Sequence, residues 1–366
     1  MKYVSKIKGT GRSRKGLGVL VLSAGLLVAG CESAGSEAGS GNDVDPDNSV
    51  AQGKSPITEV ARRIEPSVVQ VNVSSIQSSP DGSSQEAEGL GSGVIYDKDG
   101  YIITNAHVVE GAEAVNVALA DGSVESGQVV GSDSFTDIAV VKVDRRDLPA
   151  AEFTEKNLDQ GQLAVAVGSP SGFQSTVTSG IISGVNREVP PQITGGSQET
   201  ALVDLIQTDA AISPGSSGGA LVDREAEVVG INVAYLPPAQ TGAVNIAFAI
   251  PSATATDVAD QIIADGEATH PYLGVSLVDL TPEAAQQFDV SVDSGAIITE
   301  LDPDGPAAEA GLEAGGVITA VGSEEVSGAG DLLSALRQVE SDEPVEVTVD
   351  RDGDTREFTV ELDEKR

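Results

Sequence analysis

Ser213-Pro214-Gly215-Ser216-Ser217-Gly218-Gly219-Ala220-Leu221 is the stretch best suited to covalent chemistry. Glycine accepts positive φ and lets a second segment come close. With Gly215 two residues before Ser217 and Gly218-Gly219 directly after it, a tight turn would hold the Ser217 hydroxyl out and aim several backbone N–H groups into one small volume. A nucleophilic serine needs that arrangement, because charge develops on the substrate oxygen and must meet fixed donors there. An ordinary Gly/Ser loop between strands has the same composition, so other residues have to decide. Serine is a weak nucleophile without a base in hydrogen-bond reach, and histidine suits that role because its pKa lies near neutrality. The chain has two histidines. His270 stands beside Pro271 in what reads as an interdomain linker, whereas His107, in Thr104-Asn105-Ala106-His107-Val108-Val109, follows a predicted β-hairpin and is the leading candidate base. A base needs an acid that fixes its tautomer and stabilises the imidazolium. Asp137, at the head of Ile138-Ala139-Val140-Val141-Lys142-Val143, is that candidate, although an Asp entering a strand also serves as a simple cap. No metal and no cofactor is expected for this chemistry.

The elements that must position these residues read as β-structure. Hydrophobic residues make up 40% of the 366, aromatics only 3%, and there are 42 glycines, so the core must be Val, Ile, Leu and Ala. β-branched residues favour strands. After a short helix ending before Pro66, strand-like runs follow at Ser67–Val73, Gly91–Tyr96, Tyr101–Thr104, Val115–Leu119, Gly127–Val130, Ile138–Val143, Leu163–Val167, Thr176–Val185, Leu202–Thr208, Ala220–Val222, Val228–Val233 and Ala243–Ile250. Asp99-Gly100 and Asp121-Gly122 are hairpin turn signals, and Gln77–Gly89 reads as a polar loop. Many short strands at this spacing predict a sandwich or barrel. Ser252 reads as an N-cap and Gly266 as the end of the helix it starts. A second, smaller domain then begins near Tyr272, with strand-like Ala296–Thr299, Val317–Val321, Val345–Val349 and Phe358–Leu362, and an amphipathic Asp331–Val339.

Net charge is −36. Such a surface repels nucleic acid and anionic headgroups, so no nucleic-acid partner is expected. Self-repulsion of this size is tolerable where salt is high, since the screening length shrinks to roughly 3 Å at 1 M; a salt-adapted source is the expectation, tested by stability against NaCl. The basic residues Lys2, Lys6, Lys8, Arg12, Arg14 and Lys15 lead into the apolar run Leu17–Gly30, which is too short for an ordinary spanning helix and has the build of a signal peptide. Cys31 is the only cysteine. Val28-Ala29-Gly30-Cys31 resembles a lipoprotein processing box, which implies cleavage before Cys31 and lipidation of its thiol; a plain secretory signal with an incidental Cys is the alternative. Residues 31–54, rich in Gly, Ser, Ala, Asp and Glu, read as a flexible acidic tether.

The order His, Asp, Ser, with about thirty and eighty residues between them, is that of the chymotrypsin arrangement. Thr104–Val109, Asp137–Val143 and Pro214–Leu221 together resemble the three signatures of the HtrA/Deg serine proteases. Gly168-Ser169-Pro170, Val177-Thr178-Ser179-Gly180-Ile181, Gln207–Ile212 and Phe248-Ala249-Ile250-Pro251 are similar to that family as well. The resemblance covers roughly residues 56–365. It implies a mostly β fold: a chymotrypsin-like double β-barrel protease domain over 55–267, followed by a small α+β PDZ domain over 268–366, after a signal peptide at 1–30 and the linker at 31–54. It implies Ser217 as nucleophile, His107 as base, Asp137 as orienting acid, and the backbone N–H groups of Gly215 and Ser217, with Ser216 as a further candidate, as oxyanion hole. Ser216 stands where the family usually has Asn. It places Tyr235 near the primary specificity pocket, where ordinary packing is the other reading, with the loop Leu236–Val244 beside it. Tyr272-Leu273-Gly274-Val275 resembles a PDZ carboxylate-binding loop, and Gly316 departs from the family's usual Asp.

These resemblances imply an ATP-independent serine endopeptidase that acts on unfolded or misfolded extracytoplasmic polypeptides and takes peptide C-termini as an added strand. A homotrimer or larger oligomer, tethered to the membrane by a lipid anchor only, is expected. A non-proteolytic chaperone or peptide-binding sensor is the alternative.

Overall fold

The computed structural model describes residues 55–365, except 79–83, 170–175, 190–200, 236–244, 282–283, 286–287, 289, 291, 338, 340–343 and 352, and except the side chains of 76–78, 84–86 and 234–235. Cys31, the expected signal peptide and tether, and the loop Leu236–Val244 lie outside the described residues.

The chain opens with helix α1 (Pro56–Ile64), with Pro56 in its first turn and Val60 and Ile64 buried. Six strands follow: β1 (Val68–Ser78), β2 (Ser84–Ile95), β3 (Tyr101–Thr104), β4 (Ala114–Ala118), β5 (Val124–Asp133) and β6 (Ile138–Val143), with the four-residue helix α2 (Ala106–Val109) between β3 and β4. They close as a barrel in the order β1-β2-β3-β6-β5-β4, β4 pairing back onto β1. A second barrel repeats the design with β7 (Leu163–Gly168), β8 (Thr176–Val189), β9 (Leu202–Thr208), β10 (Ala220–Val222), β11 (Val228–Tyr235) and β12 (Ala247–Pro251), closed in the order β10-β11-β12-β9-β8-β7.

Alternation explains the apolar runs. Successive strand residues point to opposite faces. In β6, Ala139 and Val141 fill the first barrel while Ile138 and Val140 face a second core shared by both barrels. In β7, Val165 and Val167 face that shared core and Ala164 and Ala166 fill the second barrel. Both faces are dry over most of their length, and the one polar residue of the two strands, Lys142, stands near the end of β6, partly exposed. The small side chains inside the barrels are what 3% aromatic content allows.

Helix α3 (Ser252–Asp265) lies over the shared core with Ala255, Val258, Ala259 and Ile262 buried, the stripe of a surface helix. It ends at Gly266, in the left-handed conformation (φ 86°), whose N–H donates to the Ile262 carbonyl at 2.9 Å. Its start differs from the sequence expectation. Pro251 is the cap residue, and the Ser252 hydroxyl donates to the Thr154 carbonyl instead of capping the helix. The proline already holds the extended turn, which frees the serine for a tertiary bond. The polar stretch 77–89 also differs: β1 and β2 continue through it as a long hairpin paired as far as Ser78 and Ser84, because cross-strand pairing overrides a weak local preference.

The last third holds β13 (His270–Tyr272), β14 (Val275–Asp279), β15 (Ala296–Leu301), helix α4 (Pro306–Glu309), β16 (Val317–Val321), β17 (Glu324–Glu325), helix α5 (Ala329–Arg337), β18 (Pro344–Arg351), β19 (Asp354–Glu361) and β20 (Asp363–Lys365). The sheet runs β14-β15-β16-β18-β19, so β14 is an edge, and β13 pairs with β20. Leu273, Ile298, Ile318, Leu332, Leu336 and Val347 belong to its own core. Helix α5 meets the barrels: the Arg337 guanidinium lies 5.5 Å from the Phe135 ring of the β5–β6 turn and donates to the Val203 carbonyl of β9 at 3.5 Å, and Gly330 lies against Glu188 of β8. Mostly β, two closed six-stranded barrels and a PDZ-like sheet domain are the architecture the sequence led one to expect.

Candidate active site

His107 and Asp137 leave the same end of the first barrel. β3 and β6 are paired with Thr104 opposite Ala139, so the residue after one strand stands beside the residue before the other. Asp137 is fully buried and held at φ 61°, a conformation Asp tolerates better than most residues. One carboxylate oxygen accepts the His107 N–H at 3.0 Å and the other faces His107 Nδ1 at 2.8 Å. The Asp137 carbonyl accepts the Ala106 N–H at 3.1 Å and the Asn105 side-chain amide at 3.0 Å. A carboxylate only accepts, so Nδ1 carries the proton and, in the neutral ring, Nε2 is left as a proton acceptor.

Ser217 comes from the second barrel, on the turn that enters β10. The Ser216 N–H donates to the Ser213 carbonyl at 2.9 Å, and the Gly218 N–H to the Asn232 carbonyl at 2.8 Å. Gly218 has φ 83°, and a side chain there would press into the Ser92 carbonyl and the Thr104 hydroxyl, so only glycine lets this turn lie against β2 and β3. The Ser217 carbonyl accepts the Ser92 N–H at 2.8 Å. Asp137–His107 and Ser217 are thus held on adjoining faces of the two barrels.

The Ser217 hydroxyl donates to the Val233 carbonyl at 3.3 Å. Among the described residues it makes no hydrogen bond to His107. The N–H groups of Gly215 and Ser217 have no acceptor among the described residues, whereas that of Ser216 is spent in the turn. Of the three expected oxyanion donors, Ser216 is therefore not available in this geometry, because its amide closes the loop that raises Ser217. A braced imidazole, a hydroxyl on a tight turn and two uncommitted amides are the parts of an acyl-transfer site.

Ser92 was not singled out in the sequence and is central here. It is fully buried; its hydroxyl donates to the Gly215 carbonyl at 2.7 Å and accepts the Ser169 N–H at 2.8 Å. The peptide joining Gly215 to Ser216 is therefore tied to the first barrel. A serine between Gly91 and Gly93 in an otherwise apolar run was the signal available. Asn232, also fully buried, donates to the Ala220 carbonyl at 3.1 Å and steadies β10 behind the turn.

Tyr235 ends β11 opposite Ala247, and its side chain lies outside the described residues. The Tyr272 hydroxyl donates to Asp302 at 3.2 Å. Leu273 is buried and its carbonyl accepts the Ala307 N–H at 2.9 Å, Gly274 has φ 79°, and Val275 begins the edge strand β14. The N–H groups of Leu273 and Gly274 have no acceptor among the described residues. No cluster of metal-ligating side chains is present among the described residues.

Residues 91–231 match the family model "Trypsin-like peptidase domain" and residues 271–362 match "PDZ domain". The chain is 43% identical over 280 residues to "Probable periplasmic serine endoprotease DegP-like" of Halomonas elongata, a match covering 76% of this chain and 57% of that protein. The chain thus spans little more than half the length of that relative. It is 37% identical over 337 residues to "Serine protease Do-like HtrA" of Lactococcus lactis, covering 84% of this chain and 82% of that one. Among solved structures, "HtrA-type protease AlgWS227A with decapeptide" superposes with a TM-score of 0.69 at 33% identity, over 85% of this chain and 98% of that chain.

Proposed function

The chain belongs to the HtrA family of serine proteases, and from that premise we propose that it is an ATP-independent serine endopeptidase acting on misfolded extracytoplasmic polypeptides. The observation that carries the reading is the 2.8 Å contact between His107 Nδ1 and the buried Asp137 carboxylate, beside a turn that presents Ser217 with two uncommitted amides. In the proposed mechanism Ser217 Oγ leaves the Val233 carbonyl, passes its proton to His107 Nε2 and attacks the peptide carbonyl. The N–H groups of Gly215 and Ser217 receive the oxyanion, and His107 returns the proton to the leaving amine while Asp137 stabilises the imidazolium. Water then repeats the sequence on the acyl-enzyme. Tyr235 is assigned to the wall of the specificity pocket.

The division into a signal peptide at 1–30, a tether at 31–54, a protease domain at 55–267 and a PDZ domain at 268–366 belongs to the same proposal. The edge strand β14 and the loop Tyr272–Val275 would bind a peptide C-terminus by strand addition. The periplasmic relatives support an extracytoplasmic location; lipidation of Cys31 and assembly into a homotrimer or larger oligomer are further parts of the reading.

The deciding experiment is casein hydrolysis by wild type and Ser217→Ala. Wild type cleaves, and the variant loses on the order of 10⁴-fold or more in rate with its fold intact. A wild type that suppresses aggregation without cleaving, and a variant that does so equally well, would make the protein a holdase or peptide sensor instead.

A further inference from the structure

We infer that His270 and Asp133 are positioning residues for the orienting acid: an imidazole from the PDZ side holds the turn that presents Asp137 to His107. The inference rests on the proposed roles of His107, Asp137 and Ser217.

The turn between β5 and β6 runs from Asp133 to Asp137 and is built around the Asp133 side chain. Asp133 is buried, and its carboxylate accepts the Phe135 N–H at 3.1 Å, the Thr136 N–H at 3.1 Å and the Thr136 hydroxyl. The residue after Thr136 is Asp137 at φ 61°. A non-glycine residue in that region costs on the order of 1–3 kcal/mol and persists only where its surroundings over-determine it. Three of the bonds to the Asp133 carboxylate come from within the turn. The fourth comes from outside, from His270 Nε2 at 2.9 Å across 137 positions of sequence.

His270 reaches Asp133 because α3 carries the chain back across the first barrel. Gly131, at a bulge of β5, lies against the carbonyl of Gly266, where α3 ends. Four residues further on, His270 enters β13, opposite Lys365 of β20. Its ring is buried and packs 4.9 Å from the Phe135 ring. His270 is therefore not a free linker residue, as its sequence context suggested. Its backbone is held by the PDZ frame and its side chain by the catalytic turn. Tyr272-Leu273-Gly274-Val275, the expected carboxylate loop, follows at once. Burial opposes ionisation of Asp133, but the bond and charge of His270, with the Thr136 hydroxyl and the Phe135 amide, outweigh it and hold the carboxyl below the ordinary aspartate range. An ionised Asp133 can accept from all four donors together.

A mere staple between domains would look similar in a static structure, so the test uses readouts that a staple would not move. Full-length wild type, His270→Leu, His270→Gln and Asp133→Asn are compared for kcat and KM on an unstructured peptide. The downfield proton NMR signal of the His107–Asp137 hydrogen bond is recorded for each. In His270→Leu we expect kcat to fall on the order of tenfold to a hundredfold with KM unchanged, the scale of a small misplacement of catalytic groups, and the proton signal to broaden. The Gln side chain keeps a donor near the place of Nε2, so His270→Gln recovers most of the loss. Asp133→Asn reproduces it, and the double variant His270→Leu/Asp133→Asn is no worse than either single one. Wild-type kcat and an unchanged proton signal in His270→Leu would overturn the inference, as would a loss confined to KM or additive losses in the double variant. Should His270→Leu fail to fold, His270→Gln and Asp133→Asn carry the same comparison. A wild type without hydrolysis counts against the proposed function alone; the proton signal then still decides the role of His270.

Discussion

The Ser217 hydroxyl donates to the Val233 carbonyl at 3.3 Å while His107 is already braced on Asp137 at 2.8 Å. The proposed base and its acid are assembled, and the proposed nucleophile is turned aside toward β11. Staggered side-chain wells lie close in energy, so the proposed attack asks of Ser217 a change of rotamer and the loss of one modest hydrogen bond. The N–H groups of Gly215 and Ser217 have no acceptor among the described residues.

A fluorophosphonate should therefore modify Ser217 and leave Ser216 untouched. Ser216 is only 7% exposed, and its amide is committed to the Ser213 carbonyl. Intact mass and peptide mapping are expected to show one adduct on Ser217, none in Ser217→Ala, and an undiminished adduct in Ser216→Ala. An adduct on Ser216 would reassign the nucleophile.

Asp137→Asn should separate orientation from fold. The asparagine amide donates where the carboxylate accepted, so His107 turns its unprotonated nitrogen toward it and Nε2 becomes protonated. The labelling and hydrolysis rates are expected to fall on the order of 10⁴-fold, with the circular dichroism spectrum of the wild type. A loss smaller than tenfold would argue against the role of Asp137.

Ser92→Ala tests the tie between the barrels. The hydroxyl makes two bonds, to the Gly215 carbonyl and from the Ser169 N–H, at a fully buried position. Removing it should cost about 1–3 kcal/mol of stability, read from the urea midpoint. It should also lower kcat, because the peptide between Gly215 and Ser216 is no longer fixed. Unchanged stability and turnover would show that Ser92 matters to neither.

Asp204 carries a pH signature where α5 meets the second barrel. Burial pushes its carboxyl above the ordinary range, and the nearby Arg337 offsets this only in part. A folded-state pKa above the unfolded value of about 3.9 means that the folded protein takes up a proton there. The cost of ionisation is absent below pH 4 and fully present once the folded pKa is passed. Asp204→Asn should thus be more stable than wild type at pH 7 and equal to it near pH 3.5. The side chain keeps the left-handed backbone (φ 61°), which Asn also tolerates. Thermal melts at the two pH values measure the difference; a variant less stable at pH 7 would mean that attraction to Arg337 outweighs burial.

The chain by itself determined the β architecture, through apolar strand runs punctuated by turn signals. It also determined which residue types stand at strand ends and in the glycine-rich turn, since His107, Asp137 and Ser217 each lie in a short local pattern. Only the tertiary structure decided how those patterns are held. Ser92 meets Gly215 across 123 positions and Asp133 meets His270 across 137. No local pattern names the partner of either residue, because an isolated polar residue in a strand or a turn, even Ser92 between two glycines, looks the same whether it caps, faces water or finds a distant partner. The direction of the Ser217 hydroxyl and the commitment of the Ser216 amide belong to the same class. Both depend on which acceptor the folded backbone leaves nearest, and closure of the barrels sets that distance.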